Sequence, residues 1–229
     1  MHTSNDRILR IGFTEPGQDR IRNIVTRSRS IVTTISWSVK SDCHVDRQVH
    51  GEGHESVILE DLECDPMYRT YRDQPCRIFY VLNGIEQEHI PDVLAIPHVG
   101  LEELIEIKLR RFVTAEVDAR TALMTRCLPA LGFRYSLRIV EDYKKEPQRS
   151  NRSILIHFSG RPVTLYEREL ITQTCENEGG VMWMDAFNGR FGRFGREILC
   201  RLFIEGVLSF DLATPLVPNT RFYLRNGGR

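Results

Sequence analysis

The sequence predicts an α/β fold in which a small sheet flanked by helices is followed by a second, separate module. Three observations predict it. CRIFYVL is rich in β-branched and aromatic residues and runs into Asn83-Gly84, a dipeptide suited to a two-residue hairpin because both positions accept positive φ. AEVDARTALMTRCLPALG sets Val117, Leu123, Cys127 and Leu131 as an inward stripe of a helix, with Gly132 closing it. Beyond the polar stretch DYKKEPQRSNRS, the pattern becomes helix, turn, helix and a closing pair of strands.

The elements are expected in this order. Residues 1–54 carry basic and hydroxyl residues with weak periodicity and read as an irregular arm with one or two short strands. ESVILEDLEC (55–64) reads as a short helix that Asp65-Pro66 stops. CRIFYVL, EHIPDVLAI and LEELIEIKL then read as three consecutive antiparallel strands. The helix through Leu131 and the strand YSLRIVE complete a core over 55–152. Over 153–229, YERELITQTCENEG reads as a helix, MDAFNGRFGRFGREILCRLFIEG as a turn and a second helix, and VLSFDL with RFYLR as a β-ribbon. That order is the one a winged-helix module uses.

Composition narrows the function. With 229 residues, 41% hydrophobic and 27% charged, the chain has the make-up of a soluble globular protein. No apolar run approaches the roughly 20 residues that cross a bilayer, and the N-terminus lacks the apolar segment of a secretory signal; a cytoplasmic protein without membrane contact is expected. The six cysteines form no CxxC pair, which argues against a zinc ribbon or a disulfide framework. Net charge is zero, yet from Gly189 onward seven arginines face only Glu197, Glu205 and Asp211. Local patches of this kind matter more for phosphate binding than the total does.

One pattern carries chemistry. Asp92 follows Pro91 in one predicted strand, and Glu106 and Lys108 sit in the next, as IEIK. Side chains alternate along a strand, so Glu106 and Lys108 share a face while Ile105 and Ile107 share the other. The isoleucines can then bury against a helix while the charged pair faces a cleft. With Asp92 on the same side, two carboxylates and an ammonium converge. The carboxylates are hard oxygen ligands suited to Mg²⁺, which lowers the pKa of a water and offsets charge during phosphodiester hydrolysis; Lys108 would orient the water or stabilise developing charge. Acid-x-Lys alone is common on solvated strand faces. The order of helix with an acid, hairpin, Pro-Asp, Glu-x-Lys, helix and strand is what gives it weight.

Other constellations leave two readings open. GRFGRFGR spaces Arg190, Arg193 and Arg196 three apart with Phe191 and Phe194 between: either the arginines meet phosphate at a helix start, or the phenylalanines enter a core and leave the arginines exposed. Lys144, Lys145, Arg149 and Arg152 suit the rim of a DNA cleft or a solvated linker. His44, His50 and His54 lie near Cys43 but meet no structural-zinc spacing. Trp37 and Trp183 read as core. No GxSxG elbow appears.

The stretch from Glu55 to about Arg152 resembles the TnsA family of transposon-end endonucleases, on ESVILEDLECDP leading into RDQP, then IPD, LIEIK and GFRYSLRIVEDY followed by a basic, Asn-containing segment. ILCRLFIEGVLSFDLATPLVPNTRF resembles that family's winged-helix domain. The resemblance implies a restriction-endonuclease-like PD-(D/E)xK core, a mixed sheet flanked by helices, with a C-terminal winged-helix-like domain. It implies a glutamate on the helix before the hairpin that completes the site, by position Glu55, with Glu60 and Glu63 close by. The family's second acidic position, often Gln or Glu, is Glu106 here. The N-terminal arm and HGEGHE depart from the pattern. The implied function is cleavage at the 5′ ends of a mobile element, with Mg²⁺ or Mn²⁺ as cofactor, a DDE-type transposase as partner and a regulatory AAA+ ATPase bound to the C-terminal part. The rivals are a stand-alone restriction or repair endonuclease and a catalytically inactive DNA-binding or assembly protein.

Overall fold

The computed structural model describes residues 5–14, 32–35, 38–41, 49–52 and 54–225. They divide into two compact units. One comprises the described residues up to Asp142, less Ser38, Val39 and Glu63–Pro66; those join Tyr143 onward in the other. The units meet at Asp142 and Tyr143, and the described residues of the N-terminal arm other than Ser38 and Val39 cluster with the first unit.

The first unit begins with β1 (Arg7–Phe13), the antiparallel pair β2 (Val32–Ile35) and β3 (Val49–Glu52), and α1 (Ser56–Cys64). The Glu55 carbonyl accepts the Ile58 and Leu59 amides at 3.0 and 3.1 Å, so Glu55 opens the helix. Val57, Ile58, Leu59 and Leu62 are buried, each contributing roughly 1.5–3 kcal/mol. Strands β4 (Tyr68–Asp73), β5 (Cys76–Leu82), β6 (Ile85–His89), β7 (Val93–Pro97) and β8 (Glu102–Lys108) follow, then α2 (Ala115–Cys127) and β9 (Phe133–Ile139).

Strands β4, β7, β8 and β9 form a mixed sheet in that order. β7 is antiparallel to β4 and β8, while β9 runs parallel to β8, with α2 supplying the crossover that parallel neighbours need. The expected three-strand meander is corrected. Asn83 and Gly84 do turn a hairpin, with φ of 53° and 78°, but β5 and β6 pair with β1 in a separate sheet. Ile90-Pro91-Asp92 carries the chain from that sheet to the other; Pro91 has no amide to give either ladder. The strand beside β7 is β4, which the sequence reading passed over. A register shift between Tyr68 and Thr70 breaks its period of two, so Tyr68 and Tyr71 both bury with Arg69 exposed between them.

The two faces of β8 meet different elements. Leu104 packs in a cluster with Leu94, Leu123, Met124 and Leu128, on the side of α2. Glu103, on the opposite face, accepts from the Tyr68 and Ser136 hydroxyls, both at 2.5 Å, and Arg138 beside it reaches Asp61 of α1 at 3.3 Å. Ile105 and Ile107 are buried on this α1 side. On α2 the buried residues are Val117, Leu123 and Met124. Cys127 is half-buried and Leu131 exposed, because Leu128–Leu131 tighten into a 3₁₀ turn around Pro129 and leave the helical stripe.

In the second unit α3 (Gln148–Phe158), α4 (Leu165–Glu178), β10 (Val181–Met182), α5 (Trp183–Phe187), α6 (Gly195–Ile204), β11 (Leu208–Ser209) and β12 (Arg221–Leu224) enclose a core that includes Ile171, Trp183, Leu199, Phe203 and Phe222. β12 lies between β10 and β11, antiparallel to both. Thr164 and Glu167 form a capping box at the start of α4, which satisfies otherwise orphaned amides. Helix α3 was read as a polar boundary. Its buried face includes Asn151 and Arg152: the Asn151 amide donates to the carbonyls of Leu212 and Thr214 and accepts from the Leu216 N–H.

Candidate active site on the mixed sheet

Asp92 is fixed by three bonds. Its backbone N–H donates to the Ile105 carbonyl at 2.9 Å, its carbonyl accepts the Gln74 N–H at 2.8 Å, and its Oδ2 accepts the Ile107 N–H at 2.7 Å. It thus stands at the start of β7, bracketing Glu106 between two residues of β8 to which it is bonded. Half-buried, it needs a fixed orientation more than an exposed carboxylate would.

Glu106 lies on the α2 side of the sheet and is 3% exposed. Its Oε1 is 2.5 Å from Lys108 Nζ and 3.1 Å from Arg120 NH2, and its Oε2 is 3.4 Å from His89 Nε2. The expected pairing of Glu106 and Lys108 on one face holds. The expected open cleft does not hold for Glu106: α2 covers it with Arg120, while Lys108 and Asp92 stay partly exposed. His89 is buried and lies 2.9 Å from the Tyr135 hydroxyl. Tyr80, also buried, places its hydroxyl on Gln87 at 2.6 Å.

Electrostatics tie these groups together. Burial, then the charge of Glu106, then that of Glu55 hold the Asp92 carboxyl well above the usual aspartate range, against Lys108 and the Ile107 N–H, which pull it down. Burial works against the Arg120 charge, but Glu106, Tyr135 and Tyr80 outweigh it and raise the guanidinium further. Burial, then Glu106, push the Tyr135 phenol upward against Arg120. Asp92 therefore feels more negative charge than Lys108 offsets. Among the described residues no three His, Cys, Asp or Glu side chains stand at a spacing that holds a metal ion. Asp92, Glu106 and Glu55 are hard oxygen donors, and they are not brought together as such a group.

The remaining candidates separate clearly. Glu63 belongs to the second unit, where it is buried and accepts from Ser38 Oγ at 2.7 Å and the Val39 N–H at 2.6 Å; it is a structural acid. Glu60 is half-buried on α1. Lys144, Lys145 and Arg149 are exposed. Arg152 is 4% exposed and donates to the carbonyls of Tyr143 and Gln148, so it does not lie on an exposed rim. In the GRFGRFGR turn, Phe191 is in the core. Arg190 pairs with Glu178 and Asp185. Arg193 stacks on Phe194 at 4.4 Å, and Arg196 on Phe158 and Phe187 at 4.7 and 5.1 Å. Of the histidine cluster, Cys43 and His44 lie outside the described residues, as do Trp37 and the side chain of His50; His54 is half-buried just before Glu55.

Sequence reasoning missed His89, Arg120 and Tyr135. Arg120 had a signal. It falls between Val117 and Met124 on the buried face of α2, where an unpaired cation would be costly and a buried acid is implied. His89, three residues before Asp92 at the buried end of a mostly exposed strand, had none. No family model matches this chain, and no curated protein matches it in sequence.

Proposed function

We propose that this chain is a divalent-metal-dependent phosphodiesterase acting on DNA, a nuclease of the PD-(D/E)xK class. Within that class we read it as a TnsA-like endonuclease that cuts at the 5′ ends of a mobile element alongside a DDE-type transposase and an AAA+ regulatory ATPase. The observation that supports the reading is the bond from the Ile107 N–H to Asp92 Oδ2, which ties the residue before β7 to the segment of β8 that carries Glu106 and Lys108. The order α1, β4, β7, β8, α2, β9 around a mixed sheet supports the class. The order α4, α5, α6 and the β11–β12 ribbon supports a winged-helix-like second unit.

Asp92, Glu106 and Glu55 would hold the ion. When bound, Mg²⁺, or Mn²⁺ in its stead, lowers the pKa of a water and offsets charge on the phosphate. Asp92 keeps its orientation through the Ile107 N–H. Lys108 presents its ammonium, held by Glu106 and by the Ile107 carbonyl at 3.3 Å, to orient the attacking water and to stabilise charge on the phosphoryl oxygens. A group already in position needs no reorganisation as that charge develops.

The test is nicking of transposon-end DNA by purified Asp92→Ala and Lys108→Ala with Mg²⁺ and the partner transposase. Each substitution should lower the rate by at least about 10²-fold while circular dichroism stays unchanged. Cleavage by Asp92→Ala at the unmutated rate sinks the assignment. A second reading, a DNA-binding assembly protein that does not cut, draws on the engagement of Glu106 by Lys108 and Arg120. Mg²⁺ binding that is indifferent to Asp92 would favour it.

A further inference from the structure

The second unit carries arginines laid on phenylalanine rings, a feature the proposed cleavage does not use. Just before α6, Arg193 lies over the Phe194 ring at 4.4 Å, and Arg161, between α3 and α4, lies over the same ring at 4.5 Å. Arg196 lies over Phe158 at 4.7 Å and over Phe187 at 5.1 Å. A ring beneath a guanidinium holds its plane in place and leaves the N–H edge outward, able to take a carboxylate in two parallel hydrogen bonds. Glu167 engages Arg161 in that way, at 2.8 and 3.1 Å. Among the described residues neither Arg193 nor Arg196 has a carboxylate partner. Glu197, next to Arg196, turns one oxygen inward, buried without a hydrogen bond. The geometry that Glu167 completes at Arg161 thus stands open at two further guanidiniums.

Apolar exposure accompanies these charges. Leu165 is 84% and Tyr166 74% exposed, in the first turn of α4 between Thr164 and the Glu167 that holds Arg161. Phe187, in contact with Arg196, is 58% exposed. Single exposed apolar residues are ordinary, but aromatic rings grouped with arginine are the composition of protein–protein interface cores. A nucleic-acid backbone gains nothing from an exposed leucine, and α6 cannot enter a groove, because seven of its ten residues are buried. We infer that this face docks an acidic segment of a partner protein. Its carboxylates take the open edges of Arg193 and Arg196, and its apolar side chains cover Leu165, Tyr166 and Phe187. The inference goes beyond the nuclease reading and requires neither an ion nor DNA at the sheet.

Fluorescence anisotropy on the full chain tests this with a labelled synthetic peptide that alternates Asp and Glu with Leu and Phe. Saturable binding is expected, and Arg193→Gln with Arg196→Gln should weaken it by at least about tenfold. Leu165→Ser with Tyr166→Ser should weaken it as well. The same peptide with Asn and Gln in place of its acids should not bind, and added salt should loosen the acidic one. Absence of binding by the acidic peptide overturns the inference, as does equal binding of the amide peptide. So does displacement of the acidic peptide by a DNA duplex whose own affinity falls in the arginine variant, which assigns the face to nucleic acid. Should Arg196→Gln fail to fold, the exposed Arg193→Glu decides alone: it should abolish binding, and unchanged affinity overturns the inference. Asp92→Ala should bind the peptide as the unmutated protein does. Loss of the nuclease reading therefore leaves this surface standing, and loss of the surface leaves that reading untouched.

Discussion

Asp92 is held in a place that penalises its charge. Burial comes first and Glu106 second in raising its carboxyl above the ordinary range, so the folded protein binds this proton more tightly than the unfolded chain does. For a raised carboxyl the stabilising contribution is full below the unfolded value, about 3.9, and is lost as pH rises through the folded value. Without metal, stability should therefore decline with pH over that window. Asp92→Asn should flatten the decline and raise unfolding free energy at neutral pH by roughly 0.5–2 kcal/mol, the gain common when strained functional groups are neutralised. Asn keeps an acceptor for the Ile107 N–H, so packing should survive. Urea unfolding at a series of pH values measures it; an equal or lower midpoint for Asp92→Asn at pH 7 would show that the carboxylate is not electrostatically frustrated. At this scale the sequence was informative where period and spacing alone set a side chain's direction. Glu106 and Lys108 do share a face. Which helix covers that face depended on the whole sheet, so His89 stayed hidden, while Arg120, on the buried face of α2, was legible as a buried cation without its partner.

Elements were legible where local chemistry agreed with the tertiary answer. Asn83-Gly84 turned the expected hairpin, α1 ended before Asp65-Pro66, and Gly132 closed the segment that follows α2 at φ 88°. The failures were elements whose buried side chains are polar or broken in period. β4 buries two tyrosines three apart, and α3 buries an asparagine and an arginine. The GRFGRFGR turn left two readings open, arginines on phosphate or phenylalanines in a core; Phe191 is in the core, and Gly195 is set by close packing: a Cβ there would meet the Ala186 Cα and carbonyl oxygen, both at 2.9 Å. Those atoms are backbone and cannot swing aside, so α5 and α6 would have to separate. Gly195→Ala should lower unfolding free energy by about 1–3 kcal/mol, read as a lower urea midpoint by circular dichroism. A midpoint within error of the unmutated protein would mean that the two helices adjust freely.

Across the whole molecule, charge is balanced and mostly paired. Formal net charge is zero, and in the second unit Arg161 pairs with Glu167, Arg190 with Glu178, and Arg168 and Arg201 with Glu205. Of the C-terminal arginines, Arg190 and Arg201 are thus paired with carboxylates, which composition alone could not reveal because Glu178 lies outside that basic stretch. A neutral molecule gives little long-range attraction to a polyanion, so DNA affinity has to come from a few exposed cations. Lys144, Lys145 and Arg149 are such a group. Each phosphate they contact contributes about 0.9 to the slope of log affinity against log salt. Replacing all three with Gln should weaken duplex binding across sequences alike and make that slope shallower by up to about 3, measured by fluorescence anisotropy over a KCl series. Mn²⁺ affinity should not change, because these residues are far along the chain from Asp92 and Glu106 and hold no carboxylate of the site. An unaltered salt slope would assign the phosphate contacts elsewhere, with Arg193 and Arg196, stacked on their rings and lacking a carboxylate partner among the described residues, next to be replaced.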